Sequence, residues 1–143
     1  MNKDELFDKA LQIAIRAHER QKDKSGHDHI MHPIRVSERC KNIDAKIVAL
    51  LHDTIEDTDV TPDYLIAEGF PEEVIDIILL VTRKEDETYQ QFIERAAKNP
   101  VSREVKIADL EDNMDIRRLS YISDESAERL RKYLKAWHYL QKQ

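Results

Sequence analysis

Apolar residues recur along the chain at spacings of three and four. Leu6, Ala10, Ile13, Ala14 and Ala17 share one face of such a repeat, the periodicity of an amphipathic helix with one buried side. No segment sustains the period-two alternation of a half-buried strand. Pro33, Pro62, Pro71 and Pro100 each stand just ahead of an amphipathic run. There a missing N–H costs nothing, because the first turn of a helix leaves its N–H groups unpaired. The pattern predicts helices over 3–21, 33–42, 45–56, 62–68, 71–83, 88–98, 101–118 and 124–141. Gly69 is placed to close the fourth as a left-handed cap. The run Ala45 to Ile55 is apolar on nearly every side and is predicted to thread the middle of the bundle. Lys22 to His32 is the longest irregular stretch, read as a polar loop. An all-α fold follows, with residues 1–143 expected to form one domain of about eight helices.

Composition narrows the class without fixing the chemistry. Hydrophobic residues make up 41% and charged residues 36% of 143 positions, the balance of a water-soluble globular chain long enough for a real core. With 23 basic and 29 acidic residues the net charge is −6. That argues against non-specific binding to nucleic acid or an anionic membrane, yet leaves room for a locally positive site. Cys40 is the one cysteine and has no internal disulfide partner, so a reducing, cytoplasmic setting is expected. The N-terminal MNKDELFDKALQ is amphipathic rather than signal-like, and no stretch has the apolar length of a membrane span. Oligomeric state is not legible.

Residues 49–59, ALLHDTIEDTD, end a buried helix in a histidine and four acids with no Lys or Arg among them. On a continuous helix His52 would lie above Glu56, and Asp53 above Asp57. Carboxylates crowded at the end of an apolar segment repel one another, and desolvation strengthens the repulsion. Either the helix end is fully solvated or a cation neutralises it, and the apolar run just upstream favours the cation. His32, directly before Pro33, stands at a helix start with its ring free to point inward. In VKIADLEDNM, Lys106, Asp109 and Asn113 share a face, and Asp109 is flanked by apolar residues, so it needs a partner. Two imidazoles and two carboxylates form a borderline-hard donor set suited to Mn²⁺, Fe²⁺, Co²⁺ or Zn²⁺ and poorly suited to Ca²⁺.

AHERQKDKSG, IMHPIRV, ALLHDTIEDTDVT and VKIADLEDNM, in this order, resemble the HD-domain hydrolases of the RelA/SpoT type. The nearest likeness is to the stand-alone small alarmone hydrolases. The resemblance implies one Mn²⁺, with Fe²⁺ or Co²⁺ as alternatives, held by His32, His52, Asp53 and Asp109. It implies that Glu56 and Asp57 serve the reaction, which in the family removes pyrophosphate from the 3′ position of ppGpp or pppGpp. It further implies that Lys24, Ser25 and Gly26 line the nucleotide pocket, with Asn113 near the ribose. Lys24, Lys106 and Arg83 are the candidates to offset charge on the leaving pyrophosphate, Lys24 being favoured by its loop position.

Two departures fall in the nucleotide-side loop. Asp23 stands where the family usually carries an arginine, and an aspartate cannot stack on a purine as a guanidinium does. His27-Asp28-His29 replaces the usual Glu-Pro-Tyr. Hydrolytic chemistry is therefore better supported than guanine specificity, and ppApp or the 2′-phosphate of NADPH are the alternative substrates. A non-catalytic nucleotide sensor is the competing class, disfavoured by the presence of both Glu56 and Asp57.

The remaining polar residues receive plainer readings. His18 is read as packed or partly exposed, His27 and His29 as solvated loop residues, and Glu111, Asp112 and Asp115 as exposed acids. Cys40 is read as a small core residue, and Tyr133, Trp137 and His138 as core packing. Arg129, Arg131, Lys132 and Lys135 form a solvated basic face.

Overall fold

A computed structural model describes residues 1–143. The chain forms α1 (Lys3–Ala17), α2 (Met31–Arg39), α3 (Ile43–Leu51), α4 (Thr54–Asp57), α5 (Pro62–Ala67), α6 (Glu72–Leu80), α7 (Tyr89–Ala96), α8 (Pro100–Asn113), a 3-10 turn (Ile116–Arg118) and α9 (Asp124–Gln141). The all-α expectation holds. Starts follow local chemistry. Asn2 accepts from the Glu5 N–H while Glu5 accepts from the Asn2 N–H, satisfying two otherwise orphaned donors. Pro62 and Pro100 occupy the first turns of α5 and α8. Gly69 follows α5 with φ +102, the left-handed conformation that favours glycine.

α3 lies at the centre, packed by α1, α2, α6 and α8. Ala45 and the run Ile47 to Leu51 are buried, so apolarity on every face of this segment reflects burial on every face. Full burial of each Ile or Leu here stabilises by about 1.5–3 kcal/mol. A second, smaller core of Ile93, Ala97, Leu110, Ala136 and Leu140 joins α9 to α7 and α8. Trp137 is half-buried against it and donates its indole N–H to Glu111 at 3.0 Å. No helix is long and apolar enough to cross a membrane.

Three predicted boundaries are corrected. The helix expected over 45–56 is broken at His52–Asp53 into α3 and α4. His52 Nδ1 donates to the Ala49 carbonyl at 2.6 Å, and Thr54 Oγ1 donates to the Leu51 carbonyl at 2.8 Å. Side chains thus take carbonyls that a continuing helix would give to its own backbone. α1 ends at Ala17 instead of residue 21, and α8 ends at Asn113 instead of residue 118. The predicted polar loop is also more ordered than its composition implies. Lys22 and Asp28 form an isolated antiparallel bridge, and Asp23 accepts from the N–H groups of Ser25 and His27 at 2.8 and 2.9 Å. Gly26 makes the turn at φ +83.

Candidate active site

Three parts of the fold deliver the predicted ligands. His32 comes from the first turn of α2, His52 and Asp53 from the break after α3, and Asp109 from α8. His32 Nε2 lies 2.9 Å from Asp109 Oδ1 and 3.8 Å from Asp53 Oδ2. His52 Nε2 lies 3.2 Å from Asp53 Oδ1 and 3.4 Å from Asp109 Oδ1. The helix break makes this possible. Neighbouring side chains on an unbroken helix diverge, whereas His52 and Asp53 here converge.

The donor set fits a divalent cation. His52 is buried and its Nε2 has no hydrogen-bond partner. With Nδ1–H committed to the Ala49 carbonyl, Nε2 presents a lone pair toward two carboxylate oxygens. Burial disfavours a charged His52, yet the charges of Asp53 and Asp109 outweigh it and raise its pKa. Positive charge is thus called for at Nε2, and a metal supplies it as well as a proton does. Burial likewise opposes ionisation of Asp53 and Asp109. His52 charge holds Asp53 below the usual carboxylate range, and Lys106 charge does the same for Asp109.

A second layer of contacts fixes these groups. His32 Nδ1 donates to Asp112 Oδ2 at 2.7 Å, an arrangement that sets the tautomer of a ligating imidazole and leaves Nε2 free for metal. Burial alone would lower the His32 pKa, but its hydrogen bonds to Asp109 and Asp112 push it up to about 10. Arg35 grips Asp112 through Nε and Nη2 at 2.8 and 3.1 Å, and Arg118 donates to the Asp112 carbonyl at 2.6 Å. Lys106 Nζ donates to Asp109 Oδ2 at 2.8 Å and lies 4.7 Å from the Phe92 ring centroid. Asn113 Nδ2 donates to Asp109 Oδ1 at 3.3 Å.

His32, Asp53, Lys106, Asp109 and Asn113 form the floor of a cleft of about 730 Å³, within the usual range for small-molecule sites. Lys24, Arg35, Arg118, Arg129 and Lys132 stand in its walls. Burial, and then the charge of nearby Arg83, lowers the Lys132 pKa, a sign of crowded positive charge. Glu56 and Asp57 line the cleft beyond the break. Burial raises the pKa of both. For Asp57 the Asp53 charge adds to it, while for Glu56 the Arg83 N–H, donating to Oε1 at 2.8 Å, opposes it. Carboxylates tuned upward in this way are suited to taking a proton.

Lys24, Ser25 and Asn113 also line the cleft, and Gly26 supplies the turn beside them. Asp23 is folded back onto its own loop and offers no flat surface to a base. Several plain readings are corrected. Asp112 is not an exposed acid but fully buried, because two guanidinium groups, Arg35 and Arg118, and the His32 imidazole surround it. Arg129 and Lys132 line the cleft. His29 is only partly exposed, with Nε2 3.3 Å from Asp53 Oδ2, because the ordered loop turns it inward. The spacing of Asp112, three residues after Asp109 on the same helix face, was the signal that its partner lies across from α8.

An HD domain family model matches residues 10–138. The chain is 33% identical over 122 residues to a protein of Aquifex aeolicus named guanosine-3′,5′-bis(diphosphate) 3′-pyrophosphohydrolase, covering 77% of this chain and 17% of that one. It is 33% identical over 122 residues to a probable GTP pyrophosphokinase of Mycobacterium leprae, covering 76% of this chain and 15% of that one. It thus spans less than a fifth of the length of these bacterial relatives. Among solved structures it is similar to a metazoan orthologue of SpoT that hydrolyses ppGpp and plays a role in starvation responses. That likeness has a TM-score of 0.75 at 25% identity and covers 94% of this chain and 84% of that one. The helical order, the convergence of His32, His52, Asp53 and Asp109, and the match across nearly the whole chain lead to one conclusion: the chain belongs to the HD domain family.

Proposed function

We propose that residues 1–143 form one catalytic domain, a Mn²⁺-dependent 3′-pyrophosphohydrolase of ppGpp or pppGpp acting in the cytoplasm. The observation that carries this reading is the pairing, in one cleft, of an acidic, histidine-bearing floor with a cationic wall. The floor accounts for a metal ion, and the wall accounts for a ligand rich in phosphate. The names of the bacterial relatives and the solved metazoan neighbour point to the same substrate class.

His32, His52, Asp53 and Asp109 hold the ion, with Fe²⁺ or Co²⁺ as alternatives to Mn²⁺. When bound, the metal supplies Lewis acidity toward a phosphoryl oxygen and toward water. Glu56 and Asp57 orient the attacking water and take its proton. The water oxygen bonds to the 3′-phosphorus, the bond from that phosphorus to the ribose 3′ oxygen breaks, and the oxygen leaves with a proton. GDP or GTP and pyrophosphate result. Lys24 and Lys132 offset charge on the departing pyrophosphate. Ser25, Gly26 and Asn113 shape the nucleotide side. Asp112 and Arg35 hold His32 in register.

The locked Asp23 favours a second reading for the base alone. With no guanidinium from the loop to stack on a purine, ppApp or the 2′-phosphate of NADPH becomes the substrate while the metal chemistry is retained. One chromatographic assay separates the two. Protein with Mn²⁺ is offered ppGpp, pppGpp, ppApp and NADPH in turn, with chelator controls. Conversion of ppGpp to GDP and pyrophosphate is expected. Turnover confined to ppApp or NADPH moves the substrate, and turnover in chelator overturns the metal dependence.

A further inference from the structure

Asp57 ends α4, a helix of four residues. A single turn holds itself poorly, because fixing its dihedrals yields very few hydrogen bonds. Its last carbonyls also have no donor further along the helix. Glu56 has an outside anchor in the Arg83 N–H. For Asp57, the hydrogen bond from outside the turn comes from Gln21. The Gln21 Nε2–H donates to the Asp57 carbonyl at 2.9 Å across 36 positions of sequence. An Asp57 carboxylate oxygen lies within 4.8 Å of one from Asp53, so a small displacement here changes what meets the floor of the cleft.

Gln21 is itself held through every polar group it has. Its backbone N–H donates to the His18 carbonyl at 3.0 Å, and its carbonyl accepts from the His29 N–H at 2.9 Å. Its side-chain Oε1 lies 2.8 Å from His18 Nδ1. The Asp57 carbonyl can only accept, so the amide turns Nε2 toward it and Oε1 toward His18. His18 Nδ1 therefore carries the proton and donates. The end of α1, the loop that carries Lys24 and Ser25, and the turn that carries Asp57 thus meet at one residue.

His18 is 1% exposed, and its Nε2 is buried without a partner. Such a ring is a costly way to fill a core, since an apolar side chain of similar size carries no unpaired nitrogen. What the imidazole supplies, and an apolar residue cannot, is the Nδ1–H that orients the Gln21 amide. We infer that Gln21, oriented by His18, is a positioning residue that holds Asp57 in place for the reaction. Neither side chain lines the cleft, so both act through Asp57 rather than on substrate or ion. This role rests on the reading of Asp57 as a group that serves the hydrolysis.

The test is a double-mutant cycle on the full chain with Mn²⁺, read as ppGpp turnover. Gln21→Met keeps the side chain's length and both backbone hydrogen bonds and removes only the amide. It is expected to lower kcat about 10–100-fold, as a slightly misplaced reacting group does, with KM and Mn²⁺ affinity unchanged. In an Asp57→Asn background the same substitution is expected to cost nothing further. His18→Leu is expected to lower kcat as well while keeping the melting temperature of wild type, and it carries the test should Gln21→Met fail to fold. An unchanged kcat in Gln21→Met, a fall in its Mn²⁺ affinity, or an equal loss in the Asp57→Asn background overturns the positioning role alone. Retained turnover in His18→Leu removes His18 from it. Full turnover in Asp57→Asn overturns the reading of Asp57 and the positioning role together, as does a wild type that leaves ppGpp intact.

Discussion

Asp112 receives the Nδ1–H of His32 at 2.7 Å across 80 positions of sequence. The contact joins the first turn of α2 to the last turn of α8 and decides which imidazole nitrogen faces the floor of the cleft. Asp112 itself sits at a carboxyl pKa of about 2. Burial would raise it, but the hydrogen bonds from His32 and Arg35 bring it down.

Asp112→Asn is therefore expected to weaken Mn²⁺ binding about 10–100-fold without touching the ion. The measurement is metal affinity by titration, alongside circular dichroism to verify the fold. An unchanged affinity would remove Asp112 from any role in positioning His32.

Asp53→Ala and Glu56→Ala should separate binding from chemistry. Asp53 faces both imidazoles of the floor, so its loss should abolish metal uptake. Glu56 is bound to the Arg83 backbone and reaches the cleft without joining the donor set. Its loss should leave metal content intact and lower turnover by about 10²–10⁴. Metal analysis and an activity assay on the same samples check both, and full activity in the metal-stripped wild type would sink the pair.

Ile47 offers a control within the core. It is fully buried midway along α3. Ile47→Ala should cost about 2–5 kcal/mol of stability, through lost transfer energy and a cavity, with Mn²⁺ affinity in the folded protein unchanged. Urea unfolding and a parallel metal titration read the two quantities. A loss of affinity would mean that α3 transmits core strain to the site.

Acid sensitivity should have a contribution far from the cleft. Glu87 accepts from Arg95 Nε and, at 2.8 Å, from Arg95 Nη2. The Arg95 guanidinium, with the Lys84 N–H, lowers its pKa to about 2 against the opposing effect of burial. A carboxyl lowered on folding adds stability that is complete above its ordinary value of 4.5 and is lost as pH falls toward 2. Glu87→Gln should be less stable than wild type at pH 7, by a smaller margin at pH 3, and nearly equal to it only near pH 2. Melting temperatures at the three pH values decide, and a constant difference would mean that the Arg95 contact does not depend on charge.

Much of this site was legible before any coordinates. His32, His52, Asp53 and Asp109 stand out because each is a polar group inside an apolar context, and sequence displays that conflict directly. Asp112 was read as an exposed acid because its neighbours Glu111 and Asp115 are acids too. Its burial follows from Arg35, 77 positions away, and Arg118, six residues on, which both bind it. His29 was read as solvated for a similar reason. Its inward turn depends on the backbone bridge between Lys22 and Asp28 and on Asp23 capping the loop, and loop composition does not announce either. The apolar run through Ile55 concealed the break at His52, where two side chains compete for backbone carbonyls. Helical periodicity cannot register that competition.

The break also has a temporal side. During synthesis α2 and the His52–Asp53 corner leave the ribosome well before α8, so two imidazoles and Asp53 are present while Asp109 is still to come. An ion met at that stage finds an incomplete set of donors and no Asp112 to hold His32. Durable metallation must therefore wait for α8 to dock, which couples capture of the cation to completion of the bundle rather than to its first collapse.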